Sequence, residues 1–142
     1  MDSLRPAWAF LALCGYVTAA FAADGLPAAY ECNFEQGNSW TFDAGKFTSK
    51  APSKLSFEIA DINLDKQSAN LNIDNKPAGT LRVVRALNAN SFLEVANEGF
   101  LNLTTVYDLD AASGTYPAVH SRHFGMFGQP VVAQYAGSCK GK

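Results

Sequence analysis

The amino-acid sequence predicts an all-β domain, an antiparallel meander of about eight strands that closes into a small barrel. Three observations support this fold class. Apolar and polar residues alternate in short runs, and turn residues separate these runs about every 10 to 12 residues. Two cysteines lie near the ends of the chain once its first segment is removed. A β-sandwich whose terminal strands are neighbours is the alternative.

Residues 1–22 have the pattern of a secretory signal peptide. Arg5 precedes an apolar stretch over residues 7–22, and the sequence Ala-Phe-Ala at residues 20–22 provides the small side chains that signal peptidase accepts. Cleavage after Ala22 would leave 142 − 22 = 120 residues. We therefore predict one domain over residues 23–142 and a periplasmic or secreted location.

The cysteines of the mature chain are Cys32 and Cys139, because Cys14 lies in the predicted signal peptide. Outside the reducing cytosol a lone pair of cysteines is most simply a disulfide. Cys32 lies in the first predicted strand and Cys139 just after the last. A bridge between them would join the first and last strands of a barrel, which leaves no open edge for pairing with other chains.

The alternation places the strands in order along the chain. It is clearest over residues 69–74, where Leu71 and Ile73 point to one face and the intervening Asn and Asp side chains to the other. Leu101 and Leu103 predict a buried face in the same way for residues 101–107. The remaining predicted strands are residues 30–34, a run near 40–47, and residues 55–59, 80–86, 91–95, 118–124 and 131–135.

The segments between these runs contain the Asn, Asp, Pro and Gly residues that reverse a strand, at residues 65–68, 75–79, 87–90 and 97–99. Apolar residues shift from odd to even positions within residues 59–64, which predicts a bulge or bend near Asp61. Five aromatic residues are predicted to lie in the core: Trp40, Phe42, Phe47, Phe57 and Phe92.

The composition excludes several functional classes. The formal charge of −2 argues against binding to nucleic acid or to an anionic membrane surface, because both need clustered Lys and Arg residues. Beyond the signal segment, no apolar run approaches the roughly 18 to 20 residues that a spanning helix needs, so we expect no membrane span in the mature protein. We expect no cofactor.

The segment His120-Ser121-Arg122-His123 is the most chemically equipped part of the chain. On a strand, His120 and Arg122 share one face and His123 points to the other, so the two imidazoles would not converge on a metal. Arg122 with His120 is the first candidate for binding a small anion or a carboxylate. The loop at residues 124–128 displays Phe127 between two glycines, and we add His123 and Phe127 to the candidate ligand-binding residues.

Two further patterns have mainly structural interpretations. Residues 61–65 begin like a calcium loop, but Lys66 stands where that loop requires Gly. Arg82 or Arg85 is expected to pair with Glu94 across a hairpin.

The sequences Tyr30-Glu31-Cys32 and Cys139-Lys140 make the ends of the chain resemble small periplasmic β-barrels such as the bacterial C-type lysozyme inhibitors. Those inhibitors insert a loop built on Ser-Gly-x-Arg-Tyr into the lysozyme cleft. This chain has Ser113-Gly114-Thr115-Tyr116, without the Arg. The resemblance implies an exported barrel, with inhibition of a hydrolase as one possible activity.

These observations favour a non-enzymatic exported barrel that binds an unidentified protein or small-molecule ligand, or that supports the cell envelope. Inhibition of lysozyme or another hydrolase is the first alternative. The second is a small hydrolase or metalloprotein that uses the His120 to His123 segment.

Overall fold

The computed structural model describes residues 25–96, 99–126 and 128–142. The predicted signal peptide and Phe127 therefore lie outside the described residues. Within them the chain forms nine antiparallel strands: β1 (Tyr30–Asp43), β2 (Lys46–Lys50), β3 (Leu55–Asn63), β4 (Ser68–Ile73), β5 (Lys76–Arg85), β6 (Ala89–Ala96), β7 (Phe100–Tyr107), β8 (Tyr116–Met126) and β9 (Gln129–Gly141).

Eight of these strands close into the predicted barrel, and β2 is an additional strand. Each strand from β3 to β8 pairs with the next along the chain, and β1 pairs with both β3 and β9. The long strand β1 uses its first half for β3 and its second half for β2. The all-β meander and its closure are thus confirmed, and the sandwich alternative is set aside.

The predicted disulfide is also confirmed. Cys32 lies directly opposite Cys139 in the β1–β9 pairing, and the two sulfur atoms are bonded. Both residues are fully buried. The bridge therefore joins the two strands that close the barrel, and it does so from inside the core.

The interior is filled with apolar side chains. The largest fully buried residues are Tyr30, Phe34, Phe92, Ile59, Val83 and Val106. The rings of Phe34 and Phe57 stack with centroids 5.5 Å apart, and Tyr30 meets Phe92 edge-on at 6.2 Å. This packing leaves little internal space.

The bulge near Asp61 is confirmed. Asp61 has a positive φ of 51°, and the β3–β4 register shifts between Ala60 and Asn63. The shift changes which positions face inward, so that Ile62 and Leu64 pack against the core after the bulge as Ile59 does before it.

The aromatic prediction was wrong at one end of the barrel. The run near residues 40–47 is a hairpin rather than one strand, because Ala44 and Gly45 adopt positive φ values of 47° and 79° between β1 and β2. Phe42 and Phe47 pack edge-on against each other near the surface, and Phe47 is 56% exposed. The hairpin extends beyond the interior that Phe57 and Phe92 fill. Phe42 and Phe47 therefore do not reach the core.

The buried face of β7 is also opposite to the prediction. Leu101 and Leu103 are 42% and 39% exposed, whereas Thr104 and Val106 are buried. The β6–β7 register places Thr104 opposite the buried Phe92, and residues paired across two strands share a face of the sheet. The alternation identified the strand, but the pairing of β7 with its neighbours decided which face points inward.

In the part of the chain that the structure describes, no helix is long and apolar enough to cross a membrane.

Candidate functional site

Polar side chains gather on the inner face of the barrel where β6, β7 and β8 run side by side. The register places Glu94 opposite Asn102, and Asn102 opposite Arg122. Two residues further along β7, Thr104 lies opposite His120. These five residues line one cavity together with apolar side chains of β3 to β6. We call the five polar residues and this cavity the polar recess.

His120 and Thr104 are the most deeply buried members of the polar recess, each with 4% of its surface exposed. The surroundings of the His120 ring determine its charge. Its Nδ1 lies 2.8 Å from the Thr104 hydroxyl, and its ring packs among Phe34, Phe57 and Tyr135 at centroid distances of 5.2 to 5.8 Å. Burial, assisted by the positive charge of Arg122, lowers the pKa of His120 to about 4. The imidazole is therefore neutral at physiological pH and carries one N–H.

Asn102 and Glu94 form the outer edge of the polar recess. The Asn102 amide Nδ2 donates to Glu94 Oε2 over 2.7 Å. Because a carboxylate accepts hydrogen bonds and does not donate them, this bond fixes the orientation of the amide. The carbonyl oxygen of Asn102 is consequently an acceptor that points away from Glu94.

Three buried polar atoms of the polar recess have no hydrogen-bond partner among the residues that the structure describes: Asn102 Oδ1, His120 Nε2 and Arg122 Nε. An unsatisfied buried polar group costs roughly 1 to 3 kcal/mol. The space open to the centre of a water-sized sphere is about 20 Å³, and about 10 to 15 Å³ admits one water molecule. The recess can therefore receive one small polar group, and the three residues that carry these atoms all line it.

The structure confirms that His120 and Arg122 share the inner face. His123 lies on the exposed outer face, opposite Leu101 on β7 and Val132 on β9. Ser121 also alternates away from His120. The described residues thus bring His120 and Arg122 together, and they do not assemble His120, Ser121 and His123 into one site.

The prediction of a cross-strand ion pair at Glu94 was wrong. Arg82 lies opposite Leu93, and Arg85 lies opposite Asn90. Glu94 faces the interior, whereas Arg82 is exposed on the other face of the sheet. Sequence reasoning identified the correct hairpin, but it did not use the alternation that separates the faces of β5 and β6.

Three members of the polar recess were missed as site residues: Glu94, Asn102 and Thr104. The sequence could have indicated two of them if the buried face of β7 had been known, because Asn102 and Thr104 alternate with the exposed Leu101 and Leu103. A polar residue on the buried face of a strand needs a partner, and the partners are Glu94 and His120.

The calcium-like segment, residues 61–65, covers the end of β3 and the start of the turn that follows it. Asp61 accepts a hydrogen bond from Asn70 Nδ2 over 2.8 Å, and Asn63 Oδ1 accepts one from the backbone N–H of Lys66 at the same distance. Among the described residues no group of three or more His, Cys, Asp and Glu side chains is arranged to hold a metal ion.

The segment that was compared with the inhibitor loop connects β7 and β8. Asp110 accepts a backbone hydrogen bond from Ser113 over 3.0 Å, and the Ser113 and Thr115 hydroxyls bond each other over 2.9 Å. The ring of Tyr116 meets Tyr30 edge-on with centroids 5.1 Å apart. The end of this segment is therefore packed against the core.

Comparison with protein families, characterised proteins and solved structures finds no match to this chain.

Proposed function

We propose that the protein is an exported, non-enzymatic β-barrel that binds a small ligand in the polar recess through Asn102, His120 and Arg122. One observation carries the proposal: three side chains that line a single cavity each hold a buried polar atom without a partner among the described residues. Such atoms are uncommon in folded proteins, and their occurrence on three residues that line one cavity favours a polar group from a ligand.

Export is supported by the signal-like segment and by the disulfide. The Cys32–Cys139 bridge closes the barrel from within, and structural disulfides persist mainly in the periplasm and outside the cell. We assign the protein to one of these compartments.

The chemistry of the polar recess favours binding over catalysis. A histidine whose pKa lies near 4 is a weak base at physiological pH. The hydroxyl beside it belongs to Thr104, which is engaged with His120 Nδ1, and the barrel wall separates Ser121 and His123 from the recess. The recess therefore presents hydrogen-bonding groups without an activated nucleophile.

Nuclear magnetic resonance on the purified protein, labelled with ¹⁵N, tests the proposal. A library of small polar fragments should contain members that shift the side-chain signals of Asn102, His120 and Arg122 in a saturable way. Arg122→Met should abolish these shifts. Arg82→Met, at an exposed position on the neighbouring wall, should leave them unchanged.

A library that moves none of the three side-chain signals would reject the proposed function. Binding that is unaffected by Arg122→Met would also reject it, because the ligand would then occupy another site.

A further inference from the structure

We infer that the polar recess takes a hydroxyl group of an uncharged polyhydroxylated ligand, a sugar or a polyol. The inference rests on the proposed function and names the class of ligand. It follows from the donors and acceptors that the residues lining the cavity hold, and from the balance of charge around it.

The three unpartnered atoms define the group that they can bind. Arg122 Nε carries a hydrogen and donates, and Asn102 Oδ1 can only accept. When the Thr104 hydroxyl donates to His120 Nδ1, the single hydrogen of the neutral imidazole lies on Nε2, which then donates as well. The recess thus presents two donors and one acceptor.

A hydroxyl group matches this set completely. Its oxygen can accept from Arg122 Nε and from His120 Nε2 while its hydrogen is donated to Asn102 Oδ1. A carboxylate has no hydrogen to donate, so it would leave Asn102 Oδ1 buried and unpaired. An ammonium group has no lone pair, so it cannot accept a hydrogen bond from Arg122 Nε.

The charges give the same answer. Arg122 and Glu94 line the same cavity, so their opposite charges offset each other. An anion would sit beside Glu94 in a partly desolvated site, where interactions between like charges are strong. An uncharged group avoids this repulsion, which argues against the small anion that Arg122 alone suggests.

The walls of the cavity suit the rest of such a molecule. Phe57, Phe92 and Leu71 are buried beside the polar atoms, and Ile73 is 41% exposed on the same lining. Carbon-bound hydrogens of a sugar ring or a polyol chain can pack against the exposed side chain of Ile73 while one hydroxyl enters the recess.

The experiment compares three probes that differ in their hydrogen-bonding capacity. Glucose donates and accepts, its fully O-methylated derivative only accepts, and acetate is an accepting anion. Each is titrated into ¹⁵N-labelled protein to about 100 mM while the signals of Arg122 Nε, the Asn102 side-chain amide and the His120 ring are followed. The same titrations with Asn102→Leu test the acceptor directly.

We expect glucose to shift all three signals, and O-methylation to weaken its binding by at least about fivefold, since the unpaired Asn102 Oδ1 costs roughly 1 kcal/mol or more. Acetate should leave the signals in place. Asn102→Leu should remove the preference for glucose over its methylated derivative.

The outcomes separate the two proposals. Acetate binding that depends on Arg122, without glucose binding, would overturn the hydroxyl assignment and leave the proposed function standing. Equal binding of glucose and its methylated derivative, or of glucose and acetate, would also overturn the assignment. If neither these probes nor any polar fragment moved the three signals, both proposals would fall, and the recess would be a site for structural water only.

Discussion

The environment of His120 shows how the barrel converts a titratable residue into a neutral hydrogen-bonding group. The imidazole is enclosed by three aromatic rings and bonded on one side to Thr104. Charging it would place a cation in an apolar core next to Arg122. The neutral form is therefore part of the folded state.

This environment predicts a loss of stability on acidification. The pKa of His120 falls from 6.5 to about 4 on folding, so between these values the unfolded chain binds a proton that the folded protein does not. The free energy of unfolding should therefore fall as the pH is lowered from about 7 to 4, with a contribution of at most roughly 3 kcal/mol from His120. Urea unfolding at half-unit pH intervals measures the slope.

The matched variants are His120→Asn and His123→Asn. The first should be less stable at pH 7 and should flatten the slope between pH 6.5 and 4. The second, on the exposed outer face, should leave the slope unchanged. A slope that survives His120→Asn would assign the proton uptake to another group.

At the scale of the elements, strand β7 buries the face that does not carry its leucines. Thr104 and Val106 face the core, whereas Leu101 and Leu103 face outward. The outward positions of this strand also include Thr105, whose hydroxyl is 2.9 Å from that of Ser91 on β6, and none of them is charged. Exposed leucines are common on protein surfaces, and this register gives Thr104 a hydrogen-bond partner in His120 and buries Val106 in the core.

The same substitution on the two faces of β7 should therefore have different effects. Leu103→Lys keeps an aliphatic stem on the outer wall and should change the free energy of unfolding by less than about 1 kcal/mol. Val106→Lys should lower it by more than about 3 kcal/mol, or prevent folding, because the charge would be buried without a partner. Chemical denaturation measures both. A strongly destabilised Leu103→Lys protein would contradict the observed register.

A second feature at the scale of the elements is the close approach of β1 and β9 at Gly137. A Cβ atom here would overlap the carbonyl oxygen of Asn33 and lie 2.8 Å from the Cα of Phe34. Both contacts are with backbone beside the register shift between Phe34 and Gln36, so neither can be relieved by a side-chain rotation. Because glycine has no side chain, β9 can pair with β1 at the point where β1 bends. We call the β1–β9 pairing the seam of the barrel.

Gly137→Ala should accordingly lower the free energy of unfolding by about 1 to 3 kcal/mol, the usual cost of inserting a methyl group into a packed region. Gly125→Ala is the control, because the nearest atom to its Cβ is 3.9 Å away. Thermal unfolding of the two variants measures the difference. If both were equally stable, the seam would be looser than the structure indicates.

At the scale of the whole molecule, closure depends on residues far apart in the sequence. The disulfide spans 107 residues, and the β1–β9 pairing that surrounds it extends from Tyr30 opposite Gly141 to Thr41 opposite Val131. Lys142 adds ion pairs to Glu31 and Glu58 at 3.3 and 3.1 Å on the exposed surface. The pairing closes the sheet, and the disulfide limits the freedom of the unfolded chain.

Removal of the disulfide should lower the free energy of unfolding by about 2 to 5 kcal/mol, because a loop of this length strongly restricts the unfolded ensemble. Urea unfolding with and without dithiothreitol measures the effect. A Cys32→Ala/Cys139→Ala protein should match the reduced protein and be insensitive to the reductant. An oxidised protein no more stable than the double variant would show that strand pairing alone holds the seam.

The sequence by itself determined the all-β class, the meander, the bulge near Asp61 and the partnership of Cys32 with Cys139. These features follow from period-2 alternation, turn residues and the count of cysteines, all of which are local or countable in the chain. The alternation also placed His120 and Arg122 on one face.

Only the tertiary structure decided which face of β7 is buried, and that Glu94, Asn102 and Thr104 join His120 and Arg122. Alternation divides a strand into two faces but does not say which one meets the core, since that depends on the register with neighbouring strands. Glu94, Asn102 and Arg122 belong to three strands, and their side chains meet because the closed sheet turns one face of each strand inward.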